Sequence, residues 1–187
     1  MGRSTRDRIL DAVLETIVDQ GAHGLSIRGV AAAAGLSAGA VQHLFPTREG
    51  LLQAAMDRVA EEFTARLLAA IDPTRDAVGN LRSAALLLGG VGAGARRATV
   101  VWLAFTAMAC TDPGLARAHR EAWARLEDGL AVLVARVDPG ADPLLAAQLL
   151  AQLDGLAIAR ALEPERMTER RAGQVIDAFL DANLRTG

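Results

Sequence analysis

The sequence predicts an all-α protein of about nine helices. Hydrophobic residues make up 51% of the chain and aromatics only 3%, with no Tyr. Ala and Leu dominate and β-branched runs are few, a composition that favours helix throughout. Apolar residues recur at spacings of three and four, and cap or breaker residues separate the periodic segments. At 187 residues the chain suits one compact unit or two small ones. The expected division is a head, 1–46, and a larger domain, 47–187, with 47–71 as the connecting helix. No fixed-period repeat is present.

The elements follow in order. Ser4 or Thr5 caps a first helix in which Ile9, Val13 and Ile17, flanked by Leu10, Leu14 and Val18, form one broad apolar face. Gly21-Ala22-His23-Gly24 ends it. Ser26 caps a short helix carrying Ile27, Val30 and Ala31, and Gly35 supplies the left-handed turn that stops it. Ser37 caps a second short helix, closed by Pro46. Val30, Ala31, Leu36, Val41 and Phe45 are expected to face inward, leaving Ala38, Gly39, Gln42 and His43 outward. Two short helices joined by a glycine-containing turn fit a helix-turn-helix unit, whose second helix enters the DNA major groove. The same spacing also fits an ordinary helical hairpin. Thr47 caps a long helix to about Ile71, with Leu51, Leu52, Ala55, Val59, Phe63 and Leu67 along one side.

Beyond Asp72-Pro73 the helices become very apolar. The spacing predicts helices over 76–88, 96–110, 115–137, 143–162 and 168–184. The cluster Gly89 to Gly94 reads as a flexible break, and 96–110 as a nearly all-round apolar, hence buried, helix. Cys110 is the single cysteine, so no internal disulfide framework exists; its expected role is a buried small hydrophobe.

A resemblance enters at Ala34 to Leu52. The pattern A-G-L-S-x-G-x-V-x-x-x-F-P-T-R-E-x-L-L closely resembles the tetracycline-repressor-type family of bacterial one-component regulators. It departs from the commonest pattern at Gln42, where an aromatic is common, at Leu44, where His or Tyr is common, and at Arg48, which replaces Lys and keeps the charge. Trp102-Leu103-Ala104-Phe105, Thr111-Asp112-Pro113, Asp154-Gly155-Leu156-Ala157 and Pro164 resemble the effector domain of the choline-responsive betaine-repressor branch. The resemblance implies a regulator binding double-stranded DNA as a homodimer, with repression the family default.

Charge alone does not announce a nucleic-acid partner. All 20 basic residues are Arg, and the net charge is −2. In the first fifty residues Arg3, Arg6, Arg8, Arg28 and Arg48 are matched in number by Asp7, Asp11, Glu15, Asp19 and Glu49. DNA binding must therefore rest on local placement. Arg3 and Arg6 would reach phosphate or a minor groove, with plain solvation the equal alternative for both, and Arg28 is a phosphate candidate. Ser37 caps and can bond phosphate, while Ala38 and Gly39 allow close approach. Gln42 can read adenine through N6 and N7, and His43 a base or phosphate. Thr47, Arg48 and the free N–H groups at the start of the long helix would grip a phosphate.

A ligand-responsive regulator needs a second site. Phe63, Trp102, Phe105 and Trp123 fall on the middle helices, with Thr106, Gln152 and Asp154 as sparse polar anchors for a small, mostly apolar effector. A plain aromatic core fits the same residues. The last two helices are the dimer candidates, through Leu145, Leu149, Gln152, Leu156, Ile176, Phe179 and Leu180; intramolecular packing is the alternative for those faces. No catalytic, metal or cofactor motif is present, with no HExxH, CxxC or P-loop. The N-terminus lacks an apolar signal segment, and Ala98 to Cys110 is too short to span a bilayer, so a cytoplasmic protein without membrane attachment is expected. The rival class is a helical small-molecule carrier that never touches DNA.

Overall fold

The computed structural model describes residues 4–21 and 24–185. Arg3 and His23 lie outside the described residues. Among those described there are nine helices and no strands, the architecture the sequence predicts. They are α1 (Thr5–Gln20), α2 (Ile27–Ala34), α3 (Ala38–Leu44), α4 (Arg48–Ala70), α5 (Ala77–Leu88), α6 (Ala95–Ala109), α7 (Pro113–Val137), α8 (Leu145–Leu162) and α9 (Glu169–Asn183). Most boundaries are local in origin. Ser4, Ser26, Ser37, Asp76 and Thr168 each accept the backbone N–H three residues on, as N-cap side chains do.

The chain packs as two compact units. The first comprises the described residues of Met1–Glu62 together with Val100–Arg120. Its core joins Ile9, Val13 and Ile17 of α1, Val30 of α2, Val41 of α3, and Leu51, Leu52, Ala55 and Met56 of α4. Val101 and Phe105 of α6 and Leu115 of α7 complete it. The second unit, Phe63–Thr99 and Glu121–Gly187 within the described residues, is built on Leu81, Ala85, Leu130, Val134, Leu149, Leu153 and Ile176.

Three expectations change. α6 is not buried all round: Val101 and Phe105 are covered, whereas Trp102 and Leu103 are half-buried and Ala107 is exposed. Cys110 is exposed, because it lies one residue past the end of α6, where its thiol donates to the Thr106 carbonyl at 3.4 Å. The glycine cluster is tied rather than loose. Arg160 donates from Nε to the Gly90 carbonyl and from Nη2 to Glu169, whose Oε1 also accepts the Gly92 N–H. Gly90 has φ +76°, and a Cβ there would sit 3.0 Å from the Cα of Ala157, so glycine is required by conformation and by space.

α8 is an 18-residue helix with a mean hydropathy of 1.3, long and apolar enough by composition to cross a membrane. Within its unit it packs against α5 and α9 and buries Leu145, Leu149, Leu153 and Leu156, as a core helix of a globular unit does.

Candidate nucleic-acid interface

The head is assembled from α1, α2, α3 and the start of α4. α2 ends at Gly35, whose φ of +65° and ψ of 40° make the left-handed turn. Ser37 starts α3 after that turn; its Oγ accepts the Ala40 N–H at 3.1 Å. α3 has seven residues, so its two faces are quickly distinguished. Val41 is buried inside, and Phe45 beyond its end closes the same core. Leu36 packs partly against that core. Gly39, Gln42 and His43 are exposed, and Ala38 is half-covered. Leu44, at 38% exposed, turns outward with them.

The arginines around this face are differently held. Arg28 is exposed in the first turn of α2. Arg6 is exposed, with its guanidinium carbon 4.8 Å from the centre of the Phe45 ring, a cation–π contact between α1 and the residue that closes α3. Arg48 opens α4 beside Thr47, whose Oγ1 accepts the Gly50 N–H at 3.0 Å. Thr47 and Arg48 are both exposed.

The effector candidates divide between the units. Trp102, Phe105 and Thr106 belong to the first, and Phe63, Trp123, Gln152 and Asp154 to the second. Within the first, the Trp102 ring stacks on His119 with centroids 4.8 Å apart. Phe105 is fully buried, and Thr106 Oγ1 is buried with no hydrogen-bond partner among the described residues. In the second unit Phe63, Trp123, Gln152 and Asp154 are all half-buried. A cavity of about 140 Å³ in the second unit is lined by Gly90, Gly94, Thr99, Ala157 and Arg160 among others, and none of the effector candidates lines it.

The dimer candidates also divide. Leu145, Leu149, Leu156, Ile176 and Leu180 are buried inside their own unit, so the intramolecular alternative accounts for them. Gln152 and Phe179 are half-buried. The open face of α8 instead carries Ala151 and Gly155, with Leu144 63% and Leu162 68% exposed at its ends.

Comparison with known proteins decides the family. Residues 9–55 match the model described as bacterial regulatory proteins, tetR family, and residues 81–185 match that of the BetI-type transcriptional repressor, C-terminal. The chain belongs to the tetR family. The HTH-type transcriptional regulator BetI of Cronobacter sakazakii is 32% identical over 185 residues, covering 96% of this chain and 90% of that one. A transcriptional regulator from Rhodococcus sp. Rha1 superposes with a TM-score of 0.84 at 28% identity, covering 96% of this chain and 98% of that one. A Saccharomonospora viridis regulator solved in complex with choline has the same fold, with a TM-score of 0.84 at 24% identity, covering 96% of both chains. This tetR-family chain is thus a transcriptional regulator of BetI type with a DNA-binding helix-turn-helix.

Two arginines of this tetR-family head carry ties that sequence reasoning did not assign. Arg8 of α1 donates from Nη2 to the Ala34 carbonyl at 2.7 Å, gripping the C-terminal end of α2. Arg58 of α4 pairs with Asp7 and Asp11 of α1. Periodicity marks apolar faces, whereas a single arginine on a polar face carries no signal of its partner; only the i,i+4 pair Arg58–Glu62 was readable in advance.

Proposed function

We propose that this regulator is a repressor that binds a palindromic operator as a homodimer and is released by a small, mostly apolar effector. In this reading 1–46 is the DNA-reading head, and 47–187 carries effector binding and dimerisation. The observation that carries it is α3, whose Val41 is buried while Gly39, Gln42 and His43 are exposed on one short helix. Gln42 reads a base, and His43 a base or phosphate. Arg6, Arg28, Ser37, Thr47 and Arg48 hold the backbone on either side. Arg3 belongs to the same group by sequence.

One head reads only a few base pairs, so useful specificity requires two, placed about 34 Å apart on successive major grooves. The open face of α8, through Leu144, Ala151, Gly155 and Leu162, with Gln152 and with Phe179 of α9, is the surface we assign to the partner copy. Small residues at 151 and 155 let helices approach closely. The effector acts by population shift. It binds the conformation whose heads do not match adjacent grooves more tightly than the DNA-bound one, by about 1–3 kcal/mol. Its proposed contacts are Trp102, Phe105 and Thr106 of the first unit, or Phe63, Trp123, Gln152 and Asp154 of the second, and the unpartnered Thr106 hydroxyl supports a polar anchor on α6. The protein works in the cytoplasm without a membrane partner.

The test is mobility shift of the protein with DNA from upstream of its own gene, repeated at raised salt and with Gln42→Ala and Arg48→Ala. Salt-sensitive binding weakened by both substitutions is expected. A folded dimer that selects no DNA from a genomic library would favour the carrier reading instead. Thermal-shift screening of amphipathic metabolites, with choline among them, identifies the effector.

A further inference from the structure

α1 and α4 of the head are joined at two levels. The first is apolar: Leu51, Leu52, Ala55 and Met56 of α4 are buried in the core they share with Ile9, Val13 and Ile17. These four lie in the first nine residues of α4; further along, Val59 is only half-buried. The second level begins where the apolar one thins. Arg58, with only 20% of its side chain exposed, is engaged on all three nitrogens. Nη1 lies 3.1 Å from Asp7 Oδ1, Nη2 lies 3.0 Å from Asp11 Oδ1, and Nε lies 2.8 Å from Glu62 Oε1. Asp7 is itself anchored, because its Oδ2 accepts both the Ser4 hydroxyl and the Ser4 N–H in the capping box of α1.

This differs from a single surface ion pair, which constrains little. Asp7 and Asp11 stand one turn apart on α1, and Arg58 and Glu62 one turn apart on α4. A planar guanidinium held by its whole fork fixes rotation and tilt as well as distance. Twelve residues of α4 follow Arg58, a lever of about 18 Å. A tilt of about 10° at the joint moves the far end by about 3 Å, close to the rise of one base pair.

We propose that Arg58 is a positioning residue: by clamping α4 to Asp7 and Asp11 of α1 it sets the direction in which the strut leaves the head, and so the half-site spacing the dimer accepts. The role rests on the homodimer reading above. Arg58 need not touch DNA to exert it.

The experiment uses the full-length protein and three duplexes: a palindrome recovered by selecting the wild type on random-sequence DNA, the same duplex with one half-site scrambled, and the same duplex with one base pair inserted between half-sites. Arg58→Met keeps the apolar stem and removes the fork. Expected is half-site affinity within about threefold of wild type, palindrome affinity reduced about tenfold, and a smaller penalty for the inserted base pair. Equal losses on palindrome and half-site, or an unchanged insertion penalty, would overturn the proposal. Should Arg58→Met not fold, Asp11→Asn removes one arm and leaves the Glu62 pair. It should shift the spacing preference the same way by a smaller factor, and a wild-type preference there overturns the proposal too. A wild type that binds half-site and palindrome alike removes the homodimer reading and this role together. A discriminating wild type matched by an equally discriminating Arg58→Met removes the role alone.

Discussion

Arg8 Nη2 sits 2.7 Å from the carbonyl oxygen of Ala34, the last residue of α2. A cation from the first helix thus occupies the negative end of the second, at the turn that leads into α3. The neighbouring Gly35 is part of the same arrangement, since a Cβ there would stand 3.3 Å from Arg8 Nη2.

Arg8→Ala should therefore destabilise the head by about 1.5 kcal/mol, the lower end for a hydrogen bond with one charged partner because the Arg8 side chain is exposed. Gly35→Ala should cost at least about 1 kcal/mol, because a Cβ is strained at φ +65° and presses on the same guanidinium. Thermal unfolding and DNA affinity measured together check both. Each variant should lose affinity for all duplexes alike, because neither residue is proposed to read a base.

Base reading and backbone holding separate by their salt dependence. Gln42→Ala should cost about 1–3 kcal/mol on the selected operator and relax preference at one base position per half-site. Arg48→Ala should weaken binding to every sequence and lower the slope of log K against log[salt] by about one per head. Titrations at several salt concentrations against matched and mismatched duplexes resolve the two.

Gly155 lies on the exposed face of α8, and nothing among the described residues lies within 4 Å of where its Cβ would be. Gly155→Arg should leave the protomer at least as stable as wild type, since a helix-interior glycine costs about 0.8–1 kcal/mol relative to better helix formers. It should nevertheless abolish the proposed dimer, because a charged side chain would fill the position assigned to close helix approach. Sedimentation velocity beside thermal unfolding decides; a dimeric Gly155→Arg would move the interface off this face.

Acid should loosen the α5–α9 contact. Arg82 holds Asp177 through Nε to Oδ1 at 2.5 Å and Nη2 to Oδ2 at 2.9 Å. The hydrogen bond from Arg82 keeps the Asp177 carboxyl below its usual 3.8, against the opposing effect of partial burial. A lowered folded pKa means the pair's stabilisation is fully present above about 3.8 and is lost as pH falls through the folded value. Both side chains are more than a third exposed, so solvent screening leaves about 0.5 kcal/mol. The stability gap between wild type and Asp177→Asn, measured by denaturant unfolding, should be constant near neutrality and close below pH 3.8.

What was legible in the sequence was local. Ser26, Ser37 and Thr47 each bond a backbone N–H three residues away, so their capping depends on neighbours a sequence displays. Val41 and Phe45 face in and Gln42 and His43 face out because helical spacing and polarity agree there. The effector and dimer candidates were harder. In α8 apolar residues occur all round, so composition could not say that Leu149 is covered by its own unit while Leu162 is left open. Cys110 looked buried for the same reason: an apolar run indicates what can be covered, not what is available to cover it.

The sequence by itself determined the helices, their caps and the helix-turn-helix, because each depends on interactions within a few residues or on a periodic apolar face. Tertiary structure alone decided that Arg8 grips the end of α2, that Arg58 gathers Asp7 and Asp11, and which side of α8 stays open. Those outcomes depend on which distant segment arrives beside a side chain. A flexible arginine or an evenly apolar helix accepts many neighbours, and the packing of the whole chain selects one.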